Sequence, residues 1–144
     1  MKTIVSIVMF ACLGAPAIAA DGRWTEGFGQ GNLEYFIDSQ GMRLMIACPT
    51  KEGSADMPSS ISLNRISNNA EVKQFTLVAG GITYTGPFET GSRVGDNNFI
   101  SLLEGLRKSD ASVKAGGNTL VFPKSNVAKV LPVFGKKGFA CNLS

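Results

Sequence analysis

Apolar and polar positions along this chain keep a strand-like period until Gly95, and the change there divides it into two parts. Positions 33–37 and 42–48 are apolar or aromatic runs on either side of Asp38-Ser39-Gln40-Gly41, the composition of a hairpin turn; pairing them brings Tyr35 and Phe36 near Leu44 and Met45. Pro49 ends the second run, and the polar stretch to Ser59, with Pro58 inside it, reads as a loop. Positions 61–66 then alternate apolar and polar for most of their length, as a half-buried strand does, and Asn68-Asn69 supplies a turn into a further strand at 72–78. Gly80-Gly81 folds that strand back onto 82–85. After Gly95 the period becomes helical: Phe99, Leu102, Leu103 and Leu106 share one face, with Asn98 as the cap and Lys108 near the C-terminal end. Positions 111–115 and 119–122 flank Gly116-Gly117-Asn118 as another hairpin. Ser125 is placed to cap a short second helix carrying Val127, Val130 and Leu131, which Pro132 breaks. Gly135 to Gly138 turns the chain into a closing strand at 139–143. The segment 21–32 is glycine-rich without a period and is expected to be a flexible arm, with Trp24 and Phe28 available to pin it. The predicted fold is therefore α+β, a mostly antiparallel sheet of hairpins with two short helices in the C-terminal half, in one domain over 33–144.

The first twenty residues follow a different logic. Lys2, an apolar run over 4–13 and the small-residue site Ala17-Ile18-Ala19 have the form of a secretory signal peptide cut after Ala19 or Ala20. The run is shorter than the roughly 20 apolar residues a membrane-spanning helix needs, so the expected product is exported, periplasmic or secreted, and not transmembrane. Cys12 lies inside the signal, and the bulky Phe10 before it makes a poor lipid-attachment site. Cys48 and Cys141 remain, and an even pair in an oxidising compartment predicts one disulfide. Closing so long a loop stabilises a small domain by roughly 4 to 5 kcal/mol in the chain-entropy model.

Charge is unevenly spread. Residues 21–90 carry five basic and eight acidic side chains, and residues 91–144 carry eight and three, so the second half is net positive. A basic half suits an anionic lipid, a cell-wall polymer or an acidic protein surface, although lysines also simply solvate outer faces. Nucleic acid is not expected as a partner, because no basic run is interleaved with aromatic residues.

The chemistry the chain omits narrows the reading further. It has no histidine, which removes the commonest general base and the usual catalytic triads. Ser112 near Lys114 and Ser125 near Lys129 do not have the Ser-x-x-Lys spacing of a serine–lysine nucleophile. The carboxylates are scattered, and Gly27, Gly29 and Gly31 lack the flanking strand and helix of a nucleotide-binding loop. No catalytic residue, metal ligand or cofactor is predicted.

Two groups of residues are candidates for partner binding. The connection 86–97 is long for a compact domain and carries Phe88, Arg93 and Asp96; the alternative is that Phe88 enters the core and Arg93 pairs with Glu89 or Asp96. Lys124, Lys129, Lys136 and Lys137 surround the short second helix and the turn after it, either as a binding face or as four solvated side chains.

The stretch NNFISLLEGLRKSDASVKAGGNTLVFP, a helix followed by a strand pair, together with Gly138-Phe139-Ala140, resembles the C-terminal halves of small exported bacterial proteins of the invasion-associated locus B type. That resemblance implies an envelope or host-contact protein without enzyme activity. The expectation is an exported non-enzymatic protein that recognises another macromolecule, as an inhibitor, an immunity factor or an envelope accessory protein. The alternatives are a module for anionic lipid or cell-wall fragments, and a hydrolase of unrecognised type.

Overall fold

The computed structural model describes residues 21–50 and 56–143, so the signal peptide expected over 1–20 and residues 51–55 of the first long loop lie outside the described residues. Strands β1 (Trp24–Gly29), β2 (Asn32–Ser39), β3 (Met42–Pro49) and β4 (Ser60–Arg65) form one sheet in that order. Strands β5 (Thr76–Ala79) and β6 (Ile82–Tyr84) precede helix α1 (Arg93–Lys108), and β7 (Ala111–Ala115), β8 (Asn118–Phe122) and α2 (Val127–Val130) come after it. The later strands make a second sheet in the order β6-β5-β7-β8, and every pairing is antiparallel. The α+β class and the Cys48–Cys141 disulfide match the expectation, with the hairpins divided between two sheets.

Alternation within the strands explains the core. On the first sheet Trp24, Ile37, Leu44 and Leu63 form one buried cross-strand row, and Tyr35, Ile46 and Ile61 form the next. On the second sheet Leu77, Tyr84 and Val113 are buried side by side, and α1 adds Phe99, Leu102, Leu103 and Leu106. Helix and sheet approach closely because Gly105 meets the β5–β6 turn: a Cβ on Gly105 would stand 2.8 Å from the Ala79 carbonyl oxygen. Ser39 Oγ donates to the Val121 carbonyl at 2.8 Å and ties the two sheets together.

Four local expectations are corrected. The arm expected over 21–32 contains β1, paired along its length with β2. Its glycines serve the sheet, since a Cβ on Gly27 would stand 3.3 Å from Cε1 of Phe36, and one on Gly29 would stand 3.1 Å from the Glu34 carboxylate. Helix α1 starts earlier than Asn98, because Ser92 is the cap and its hydroxyl accepts the Gly95 N–H at 3.0 Å. The strand expected at 72–78 begins only at Thr76; residues before it cross between sheets, held by Val72 N–H to the Leu63 carbonyl at 2.7 Å. The closing strand expected at 139–143 is irregular chain. It is held by the disulfide and by Asn142, whose N–H donates to Ser59 Oγ at 2.7 Å.

Candidate functional site

The long connection 86–97 is stitched to the scaffold. The Phe88 carbonyl accepts from Ile61 at 2.9 Å, and Thr90 N–H donates to the Ser59 carbonyl at 2.9 Å. Phe88 is half-buried and stacks on Phe75 with centroids 4.5 Å apart and planes 7° apart. Asp96 lies in the first turn of α1, where its carboxylate accepts the Gly91 N–H at 3.0 Å. Arg93 is exposed at the start of the helix. Phe88 and Asp96 thus act in packing and loop closure, and only Arg93 of the three is presented outward.

The lysine group has a different setting. Lys124 turns toward the end of α1, with its N–H on the Asp110 carboxylate at 2.9 Å and its Nζ donating to the Lys108 carbonyl at 3.5 Å. Lys129, Lys136 and Lys137 are exposed along one continuous stretch, from α2 into the chain after it. Ser125 is not the cap of α2; its hydroxyl donates to the Gly22 carbonyl at 2.8 Å, and Asn126 occupies the cap position without a side-chain cap bond. The Asn126 amide instead bridges to β1, accepting from Trp24 N–H at 2.8 Å and donating to the Trp24 carbonyl at 2.9 Å.

Two buried residues anchor the segment beyond α2. Leu131 is 3% exposed, and its carbonyl accepts from the Arg107 guanidinium, whose pKa is lowered by burial. Cys141 is 8% exposed and joined to Cys48. Between them the chain runs outward. Val133 is 44% and Phe134 47% exposed, next to Lys136 and Lys137. Backbone bonds from Lys136 N–H to the Val133 carbonyl at 3.1 Å and from Phe139 N–H to the Lys136 carbonyl at 3.2 Å shape two successive turns. Phe139 meets Phe134 edge to face, with centroids 5.5 Å apart. From position 111 to the C-terminus the sequence has five lysines and no aspartate or glutamate. Sequence reasoning found the lysines but not the exposed Val133 and Phe134, although the run Val-Phe-Gly-Lys-Lys-Gly places them beside the same turn.

Two further features were not anticipated. Where the sheets part near the β2–β3 and β7–β8 turns there is a cleft of about 680 Å³, with Met42, Val72 and Leu120 among its walls and Gln40, Arg65 and Asn118 at its edge. On the outer face of the first sheet, Arg43 makes two bonds to the buried Asp38, Nε to Oδ1 at 2.7 Å and Nη2 to Oδ2 at 2.8 Å. Its guanidinium also lies 4.2 Å from the centre of the Phe36 ring. Burial pushes the Glu34 carboxyl up, partly opposed by Arg43, and pushes Tyr35 up to about 12. Asp38 and Arg43 satisfy one another in this arrangement, so it explains itself as structure. Among the described residues, no three metal-ligating side chains of the His, Cys, Asp and Glu types converge.

The family model for YfjT matches residues 22–131. The chain belongs to the YfjT family. It is 30% identical over 115 residues to the uncharacterized protein YfjT of Escherichia coli K12, covering 75% of this chain and 73% of that one. It is also 30% identical over 151 aligned positions to the uncharacterized protein YkfB of the same organism, covering 92% and 96%. No solved structure matches this YfjT-family chain. The family match ends at Leu131, at the inner anchor of the exposed turn.

Proposed function

We propose that this YfjT-family protein is an exported, non-enzymatic binding protein that recognises another macromolecule through the face built by α2 and the turn after it. The observation that carries the reading is the exposure of Val133 and Phe134 inside a lysine-bearing segment without carboxylates, held at Leu131 and Cys141. Large apolar side chains standing beside cations, on a support fixed at both ends, form a surface suited to recognition. The lack of histidine and the joining of both non-leader cysteines support a binding role over a catalytic one. Export is supported by the signal-like first twenty residues, and the resemblance of 97–123 to exported envelope proteins points the same way. An inhibitor, an immunity factor or an envelope accessory protein would each use such a face.

A photo-crosslinking amino acid at position 134, compared with one at exposed Thr83 on β6, tests this in intact cells. An adduct to protein or to lipid from position 134, absent from position 83, is expected in the envelope fraction. Equal labelling from both positions, or none from either, would end the proposal. Edman sequencing of the exported product checks the leader, with a first residue of Ala20 or Asp21 expected.

A further inference from the structure

We infer that the surface recognised by this face is an anionic lipid bilayer, met by the turn between Leu131 and Cys141. The inference rests on the binding face proposed above and makes its partner a lipid surface in place of a single macromolecule. Val133 and Phe134 are adjacent at a tight turn, and every residue from 133 to 138 is exposed. An aliphatic and an aromatic side chain at such a tip can enter the boundary between headgroups and acyl chains. Lys129, Lys136 and Lys137 flank that tip, and their long stems allow the ammonium groups to stay at the level of lipid phosphates. No aspartate or glutamate follows position 110, so no carboxylate side chain in this segment opposes approach to a negative surface.

A second exposed aromatic side chain lies in the strand row that holds the outer end of the turn. Phe28 on β1 is 64% exposed, and it pairs across to Leu33, which in turn pairs with Cys48, the residue joined to Cys141. Register therefore places an exposed phenylalanine in the cross-strand row to which the outer end of the turn is fastened. A bilayer accepts such a group of side chains without needing a shape complementary to it. A soluble polyanion would use the lysines but has no need of two adjacent exposed apolar side chains at the tip.

The test is co-sedimentation of the purified protein with phosphatidylcholine vesicles, with and without phosphatidylglycerol, at about physiological ionic strength. Binding is expected only with the anionic lipid, and it should weaken as salt rises. Replacing Lys129, Lys136 and Lys137 together by Gln should lower partitioning about 100-fold, taking roughly fivefold for each lysine near the surface. Phe134→Ser should lower it by about tenfold with all lysines in place. Lys114→Gln, on β7, should change it less than about twofold. Retention of the disulfide and of the native circular dichroism shows that each variant is folded.

Partitioning unaffected by Phe134→Ser overturns the inference in favour of a purely electrostatic partner, as does equal binding to neutral and anionic vesicles. Absence of vesicle binding together with a protein adduct at position 134 removes the bilayer and leaves the binding role standing. Absence of both removes the binding role too.

Discussion

The entering and leaving segments of this chain are both rich in glycine, yet they fold in opposite ways. Gly27 and Gly29 lie inside β1 with ordinary extended backbone, beneath the side chains of Phe36 and Glu34 from the neighbouring strand. Gly135 and Gly138, at φ of +75° and +95°, bend irregular chain that has no ladder to join. In the first case glycine makes room for a neighbour; in the second it permits a backbone that other residues resist. Composition is blind to this difference, because it depends on what lies opposite. The entering segment is secured by a row of backbone bonds, and the leaving one by a covalent bond and a few side-chain bonds.

The largest effect should come from the covalent bond. Cys48 and Cys141 are 93 residues apart, and replacing both by Ala should destabilise the fold by roughly 4 to 5 kcal/mol in urea denaturation. The loss should be unequal in hydrogen exchange: amides in 139–143 exchange freely, while those of β1 stay protected by β2. Equal loss of protection at both ends would show that the disulfide supports β1 as well. Gly27→Val should come next, costing about 3 kcal/mol, because its Cβ would lie 3.3 Å from the nearly buried Phe36 ring and its methyl groups have less room still. Gly138→Ala should cost only about 1 kcal/mol, since the new Cβ meets nothing within 4 Å and only the backbone resists. If these two costs were reversed, the proposed reasons for the two sets of glycines would be wrong.

Asn126 is the place where the two ends touch. Its amide makes both bonds to the Trp24 backbone, so Asn126→Ala should cost about 2 kcal/mol and raise exchange at the start of β1 and in α2 together. Protection lost on one side only would separate the two elements.

The same distinction between local and opposed information decides how much of the fold was legible in the sequence. The β2–β3 hairpin was legible nearly to the residue, because the turn is local: Gln40 and Gly41 take φ of +53° and +75°, and Phe36 faces Met45 as the pattern predicts. The apolar face of α1 was legible for the same reason. Its start was not, since Ser92 looks like loop until the Gly95 N–H is seen on its hydroxyl, and a Cβ on Gly95 would stand 2.1 Å from the Glu89 carbonyl oxygen. The division of the strands between two sheets was hidden, because the crossing from β4 to β5 comes after the turn at Asn69 and alternation does not record which sheet a strand joins. At the candidate site the lysines were visible as residue types. The exposure of Phe134 was not, because it depends on where Leu131 and Cys141 are fastened.

The smallest effect gives the finest reading of the entering segment, and it comes from Glu34. Burial raises its pKa above the ordinary 4.5, with Arg43 pulling it part of the way back. Part of that covering is β1 itself, since the carboxylate lies directly over Gly29. A group whose pKa is higher in the folded chain holds its proton more tightly there, so its contribution to stability is fully present below 4.5 and is lost as pH rises through the folded value. Glu34→Gln should therefore flatten the fall in stability just above pH 4.5 and leave the rest of the profile unchanged. A carbon-detected NMR titration should place Glu34 above 4.5 in the intact chain and closer to it when residues 21–29 are deleted. If the deletion leaves the Glu34 value where it was, β1 does not cover the carboxylate, and the burial that raises it belongs to β2 and β3 alone.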